Sequence, residues 1–98
     1  MSLDVSRFNQ WDLLRIAEAA NPPDEHQDQS FCGDETFSSC DGWQVVFFYD
    51  MGELDYIDHF VTPTGYKIEF WDWPEPEREL LTSWRGVGDL ERFRLAPN

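Results

Sequence analysis

The sequence predicts an α+β fold with an N-terminal helix, a three-stranded antiparallel meander and one or two C-terminal helices. Apolar residues recur at helical spacing near both ends of the chain, whereas residues 43–73 are rich in alternating aromatic and β-branched side chains. The turns between those strands are short, as in antiparallel neighbours. A chain of 98 residues suffices for one hydrophobic core, so residues 1–98 are expected to form a single small acidic domain.

The first helix is predicted over residues 7–20. Ser6 is a suitable N-cap, apolar residues follow at intervals of three and four, and Asn21-Pro22-Pro23 ends the pattern. Residues 21–41 have no period and are rich in Asp, Gln, Ser, Gly and Pro. They are therefore expected to form a long acidic loop.

The three strands are predicted at residues 43–50, 54–62 and 66–73. Met51-Gly52-Glu53 suits a short hairpin loop, and Thr62-Pro63-Thr64-Gly65 suits a type I turn with Pro second and Gly fourth. Helical spacing returns over residues 77–85 and after Asp89. The predicted core combines strand and helix residues: Phe47, Ile57, Ile68, Phe70, Leu80 and Trp84.

The strand at residues 43–50 is apolar on both faces, although a simple meander places it at a sheet edge. Apolar edges are normally covered. Either helices lie on both faces, or the strand pairs with a second chain, which gives a homodimer or a partner added by β-augmentation. The pattern leaves both alternatives open.

The charge is strongly negative and unevenly distributed. The chain has 20 acidic and 7 basic residues, a net charge of −13. No Lys or Arg lies between Arg15 and Lys67, and this interval contains the acids Glu18, Asp24, Glu25, Asp28, Asp34, Glu35, Asp41, Asp50, Glu53, Asp55 and Asp58. Such a charge repels nucleic acids and anionic membranes and attracts basic protein surfaces.

Hydropathy indicates the cellular compartment of the protein, and the compartment in turn indicates the redox state of its two cysteines. The apolar runs are too short for a membrane span or a signal peptide, so a cytoplasmic protein is expected. Cys32 and Cys40 then suit free thiols. The alternatives are a disulfide between them, or a zinc site with His26 and His59, although structural zinc sites usually have cysteines two to four residues apart.

Asp55, Asp58 and His59 are a second candidate, for acid/base chemistry or a divalent metal. On a regular strand Asp55 and Asp58 point to opposite faces, so they converge only if a bulge intervenes. The chain has no G-x-S-x-G, H-E-x-x-H, P-loop or G-x-G-x-x-G motif. We therefore expect no catalytic residues, no metal and no cofactor.

The acidic hairpin instead indicates binding. Carboxylates two residues apart on a strand are about 6.8 Å apart, close to two base steps of about 3.4 Å, so they match phosphate positions on a basic groove. The alternative is that the acidity serves solubility alone. The residues expected to contact a partner are Asp34, Glu35, Asp41, Asp50, Glu53, Asp55, Asp58 and Trp73.

Part of the chain resembles a known set of proteins. Asp41-Gly42-Trp43, the run Gly52-Glu53-Leu54-Asp55-Tyr56 and Pro63-Thr64-Gly65 resemble small uncharacterised bacterial proteins with a D-G-W strand, a G-E-L-D-Y turn and a P-x-G hairpin. The resemblance covers residues 41–73 and implies a fold but no catalytic residue. In size and acidity the chain is also similar to acidic phage and bacterial inhibitors, including anti-CRISPR nucleic-acid mimics and immunity proteins.

These observations predict a non-enzymatic inhibitor or adaptor. It would bind a basic, nucleic-acid-handling protein through an anionic surface, as an anti-CRISPR-type nucleic-acid mimic does, and it would bind neither nucleic acid nor membrane directly. One alternative is an immunity protein that neutralises a toxin. Another, from a different class, is a small hydrolase or metal-dependent enzyme, which a bound metal or a deep pocket around His59 would favour.

Overall fold

Helices and antiparallel strands confirm the predicted α+β class, with four strands rather than three. The structure is a computed structural model that describes residues 10–69 and 78–95. In chain order its elements are α1 (Gln10–Ala19), β1 (Gly33–Ser38), a 3₁₀ turn (Cys40–Gly42), β2 (Gln44–Asp50), β3 (Glu53–Val61), β4 (Lys67–Glu69), α2 (Arg78–Ser83) and α3 (Asp89–Leu95).

α1 ends near residue 20, as predicted. Asn21 has a left-handed backbone conformation (φ 52°), which Asn tolerates better than most residues. Pro22 and Pro23 follow and cannot continue a helix. The predicted start of the helix at residue 7 lies outside the described residues.

β1 corrects the expectation of a loop over residues 21–41. Residues 33–38 form an edge strand that pairs antiparallel with β2 along its whole length. Phe37 is the only large apolar residue in this strand, so its intrinsic strand preference is weak. Pairing with β2 and the edge contact of Phe37 with Phe47 (ring centroids 5.8 Å apart) stabilise it instead.

β2 lies inside the sheet, so its predicted position at an edge is wrong. The sheet order is β1-β2-β3-β4, and both backbone edges of β2 are paired within the chain. Its two apolar faces are explained by burial, since Val45 and Phe47 are fully buried and Val46, on the other face, is 5% exposed. A homodimer through this strand therefore remains a prediction without its original support.

β3 contains two bulges. It has nine residues against the seven of β2, and the register slips twice: between Val46↔His59 and Phe47↔Ile57, and between Phe48↔Tyr56 and Tyr49↔Leu54. Asp58 and Asp55 are the residues left without a direct partner. A bulge changes the direction of a side chain relative to regular alternation.

The β2–β3 hairpin turns on Met51 and Gly52, one residue shorter than expected. Both have positive φ (51° and 78°), the type I′ pattern that matches the twist of a hairpin. The chain around residue 29 lies directly against this turn, because a Cβ on Gly52 would be 2.6 Å from Gln29 Cα. The Gly52 N–H donates to the Phe31 carbonyl (2.8 Å). Glycine is therefore required here.

The core lies between one face of the sheet and the helices. Its members are Leu13, Leu14, Ile16, Ala17, Ala20, Trp43, Val45, Phe47, Tyr49, Leu54, Ile57, Phe60, Ile68, Leu81 and Trp84. The predicted core residues Phe47, Ile57, Ile68 and Trp84 are confirmed. The predictions for Phe70 and for the side chain of Leu80 fall outside the part of the chain that is described.

A carboxylate of α1 holds the C-terminal helices. Glu18 Oε2 accepts hydrogen bonds from Trp84 Nε1 (3.0 Å), the Gly88 N–H (3.2 Å) and the Leu90 N–H (2.8 Å). The start of α3 is therefore capped from α1. The carboxylate of Asp89 accepts from the Arg85 N–H (2.7 Å), on the preceding turn.

Candidate functional site

The candidate site is the sheet face opposite the helices, which we call the outer face. Directly paired residues share a side of a sheet. Two cross-strand rows lie on this side: Asp34, Phe48 and Tyr56, and Thr36, Val46, His59 and Glu69. Opposite them, Phe47 packs on Trp84 with ring centroids 5.4 Å apart, which fixes the helix-covered side.

Tyr56 is the aromatic centre of the outer face. It is 39% exposed, and its ring stacks on Phe48 with centroids 5.0 Å apart and an interplanar angle of 16°. Burial, and then the negative charges of Asp58, Asp34 and Asp55, raise the pKa of Tyr56 above its usual value. The charges of three carboxylates from two strands thus act on one exposed ring, whose hydroxyl stays protonated at neutral pH.

A second cluster lies beside it, where β3 meets β4. His59 Nδ1 donates to Asp58 Oδ2 (2.7 Å), and His59 is directly paired with Glu69. The ligand atoms of these three residues all lie within 4.8 Å of one another. Lys67 Nζ contacts Glu69 Oε1 at 2.8 Å, and this bond, followed by smaller charge effects, raises the pKa of Lys67.

The structure does not gather all of the predicted partner-binding residues. Asp34 lies in the cross-strand row of Tyr56, and Asp55 and Asp58 are the bulge residues on either side of it along β3, whereas Asp50 and Glu53 face each other at the hairpin tip.

Other predicted residues lie elsewhere. Glu35 pairs with Phe47 on the helix-covered side and contacts His26 Nε2 (3.6 Å). Asp41 lies in the 3₁₀ turn before β2, at the end of that strand away from the hairpin tip. The prediction for Trp73 falls in residues that the structure does not describe.

Two shallow depressions have linings that include neither Tyr56 nor His59. One, of about 310 Å³, is lined by Glu25, Gln29, Met51, Gly52 and Glu53 beside the hairpin tip. The other, of about 520 Å³, is lined by Asp12, Arg15, Ile16, Ala19, Cys40, Asp41 and Trp43. Neither includes His59, so neither supplies the deep pocket that a hydrolase at that residue would need.

Sequence reasoning missed the outer face as a unit. Regular alternation separates Asp55 from Asp58, so the sequence predicted both as partner contacts but not as one group with His59. The bulges, which no residue pattern announced, remove that objection. Phe48, Tyr56 and Glu69 were not singled out, since their association depends on register, and the only available signal was the apolar–acidic mixture along β3.

Comparison with known proteins gives a family. Residues 12–92 match the model of a domain of unknown function, DUF7693. The chain belongs to this family. Neither the curated proteins nor the solved structures that were compared gave a match.

The match covers all four strands of this DUF7693 domain and most of its three helices. No helix in the described residues is both long and apolar enough to cross a membrane. The family description assigns no activity, so the outer face itself is the basis for a functional conclusion.

The two cysteines are free thiols, both exposed. They lie at opposite ends of β1, and eight residues of extended chain span about 26 Å. A disulfide needs Cα atoms less than about 7 Å apart. The alternatives of a Cys32–Cys40 disulfide, and of a zinc site that includes both cysteines, are therefore excluded by this geometry.

Proposed function

We propose that this domain is a non-enzymatic binding protein that docks its outer face on a basic, nucleic-acid-handling protein. The observation that supports this most directly is the placement of the exposed ring of Tyr56 in the cross-strand row of Asp34 and between the bulge residues Asp55 and Asp58 of β3. Aromatic anchors surrounded by charge are typical of the centres of protein interfaces.

The chemistry of the face selects a basic partner. A guanidinium that stacks on Tyr56 would gain a cation–π contact and lie within reach of the three carboxylates. The cation-free interval from residue 16 to 66 includes both strands that contribute them, so no Lys or Arg of those strands competes. Lys67, on β4, is already paired with Glu69.

Nucleic-acid mimicry is the more specific form of this proposal. Neighbouring strands are about 4.8 Å apart, and β2 lies between β1 and β3, so carboxylates on β1 and β3 are about 10 Å apart across the face. The carboxylates along β3 are separated by a few residues. A grid of negative charges on this scale is suited to a groove that normally holds phosphates. An anti-CRISPR-type inhibitor is one such mimic.

Two further expectations accompany the proposal. Exposed free thiols suit a reducing cytoplasm. We also expect other members of the family, bacterial proteins among them, to share the motifs around Trp43, Gly52 and Gly65, because Trp43 is buried and both glycines have positive φ.

Affinity capture tests the proposal. The immobilised domain should retain a basic nucleic-acid-binding protein from a lysate of its host at low salt, and duplex DNA or RNA should release that protein. The variant D34N/D55N should lose most of the capture and show slower association with a flatter salt dependence, because rim charges act mainly on the on-rate. All steps are run in EDTA.

The matched control is E25Q/E91Q, which removes the same charge at two exposed positions, one in the loop before β1 and one on α3. It should bind as the unchanged domain does. Equal association rates and salt slopes for D34N/D55N and the unchanged domain would contradict the proposal and leave solubility as the role of the acidity. Tyr56→Ala tests the anchor separately and should raise the dissociation rate.

A further inference from the structure

We propose that Asp58, His59 and Glu69 form a site for a divalent first-row transition-metal ion such as Zn²⁺. This goes beyond the proposed docking function, which needs no metal. One imidazole nitrogen and two carboxylate oxygens are a donor set that suits Zn²⁺ and its neighbours, with further positions filled by water.

The ligand atoms are already close to the required spacing. They lie within 4.8 Å of one another, against about 3.4 Å between donors on a tetrahedral zinc ion with bonds of about 2.1 Å. The three side chains are half-buried, with exposures of 32% for Asp58, 12% for His59 and 22% for Glu69, which shields an ion from bulk water.

The bulge at Asp58 makes this arrangement. In a regular strand two consecutive residues point to opposite faces. The extra residue places Asp58 and His59 side by side, as the 2.7 Å contact between Asp58 Oδ2 and His59 Nδ1 shows. Cross-strand pairing then brings Glu69 of β4 to the same place. Bulges are often found where a strand supplies a functional side chain.

Hydrogen-bond donors already occupy the positions that a cation would take. The His59 N–H contacts one carboxylate, and the ammonium of Lys67 contacts the other (2.8 Å). A metal ion would replace both interactions, since its ligands are deprotonated. Lys67 therefore acts as a competitor of the ion, and its removal should strengthen binding.

Calorimetric titration of the full chain with ZnCl₂ tests the site, and Mg²⁺ serves as the comparison ion. One equivalent of Zn²⁺ should bind saturably and raise the melting temperature, whereas Mg²⁺ binds far more weakly. His59→Gln and Glu69→Gln should each weaken Zn²⁺ binding at least about tenfold. Lys67→Met should tighten it by up to about fivefold.

His26→Gln is the matched control, because His26 is also a half-buried imidazole beside a carboxylate, at 3.6 Å from Glu35. It should bind Zn²⁺ as the unchanged chain does. When Co²⁺ is bound in place of Zn²⁺, the absorption spectrum should show no thiolate charge-transfer band. This result would distinguish the proposed site from metal binding at Cys32 or Cys40.

Absence of saturable binding, a thiolate band, or unchanged affinity in folded His59→Gln would overturn the proposal. If His59→Gln fails to fold, the effect of Lys67→Met decides. The docking proposal is unaffected by either result, since its test uses other residues and excludes metal.

Discussion

Single carboxylates in this domain have different physical roles. Glu18 is committed to three hydrogen-bond donors in the C-terminal segment, and Asp89 accepts from the Arg85 N–H. Asp34 instead lies in the cross-strand row of the exposed Tyr56, and Asp55 is its neighbour along β3. The number of acids therefore overstates the acidic surface available to a partner, and each carboxylate has to be assigned from its contacts.

Tyr49 provides a test of the loop that covers the hairpin. Its hydroxyl donates to the Pro23 carbonyl (2.7 Å), and its ring is fully buried against His26. Tyr49→Phe leaves that carbonyl without this donor, so we expect a loss of about 1–2 kcal/mol in the free energy of unfolding at pH 7, measured by urea denaturation.

The same variant tests a pH dependence. Burial, followed by the charges of Glu35 and Asp24, raises the pKa of Tyr49 to about 12 from 10.0. The native state keeps the phenol proton that the unfolded state loses above pH 10. The stability contributed by this group is therefore full below pH 10 and declines as pH rises to about 12. The stability difference between the unchanged chain and Tyr49→Phe should shrink over that window, and a constant difference would contradict the assignment.

At the scale of elements, the helices depend on one another through Glu18. α2 and α3 have six and seven residues, too short to be stable alone, so packing and capping have to hold them. Trp84, which follows α2, is fully buried and donates its indole N–H to Glu18 Oε2 at 3.0 Å. The N-terminal helix thus organises the C-terminal ones.

Glu18→Ala should therefore cost about 2–4 kcal/mol of unfolding free energy, because it leaves a buried indole N–H and two helix-terminal N–H groups without their acceptor. Glu18→Gln is the matched control: it keeps a carbonyl oxygen and should cost roughly 1 kcal/mol. Chemical denaturation measures both. A loss below about 0.5 kcal/mol for the alanine variant would show that other groups replace the carboxylate.

The elements also show what the sequence could predict. β2, β3 and the turn at Pro63 follow local rules, since alternation and turn residues were present, and the Gly65 N–H donates to the Thr62 carbonyl (2.9 Å), the hydrogen bond that closes a β-turn. β1 could not be predicted, because its residues have weak strand preference and its stability comes from pairing with β2. The bulges at Asp55 and Asp58 depend on the register between β2 and β3. The set of side chains that share the outer face depends in turn on these bulges.

At the scale of the whole molecule, the net charge of −13 opposes folding. Like charges repel more strongly in the compact state than in the expanded one. Within the described residues the ion pairs are few and lie mostly at exposed positions, such as Arg15–Asp12 and Lys67–Glu69. They therefore contribute little to the free energy of unfolding.

The destabilisation caused by this charge repulsion can be measured by removing carboxylates from the outer face. Because Asp34 and Asp55 lie in a common electrostatic environment around Tyr56, D34N/D55N should raise the melting temperature at low salt by a few degrees, corresponding to about 1 kcal/mol or less. Added NaCl should stabilise the unchanged chain more than the variant, since screening relieves the same repulsion, and the two melting curves should converge near 0.5 M, where the Debye length is roughly 4 Å. The control E25Q/E91Q removes one charge from the loop before β1 and one from α3, so its rise in melting temperature should be smaller.

A D34N/D55N variant that is both more stable and unable to capture the partner would show that these carboxylates lower stability but are needed for binding. A variant less stable than the unchanged chain would show that these carboxylates are structural.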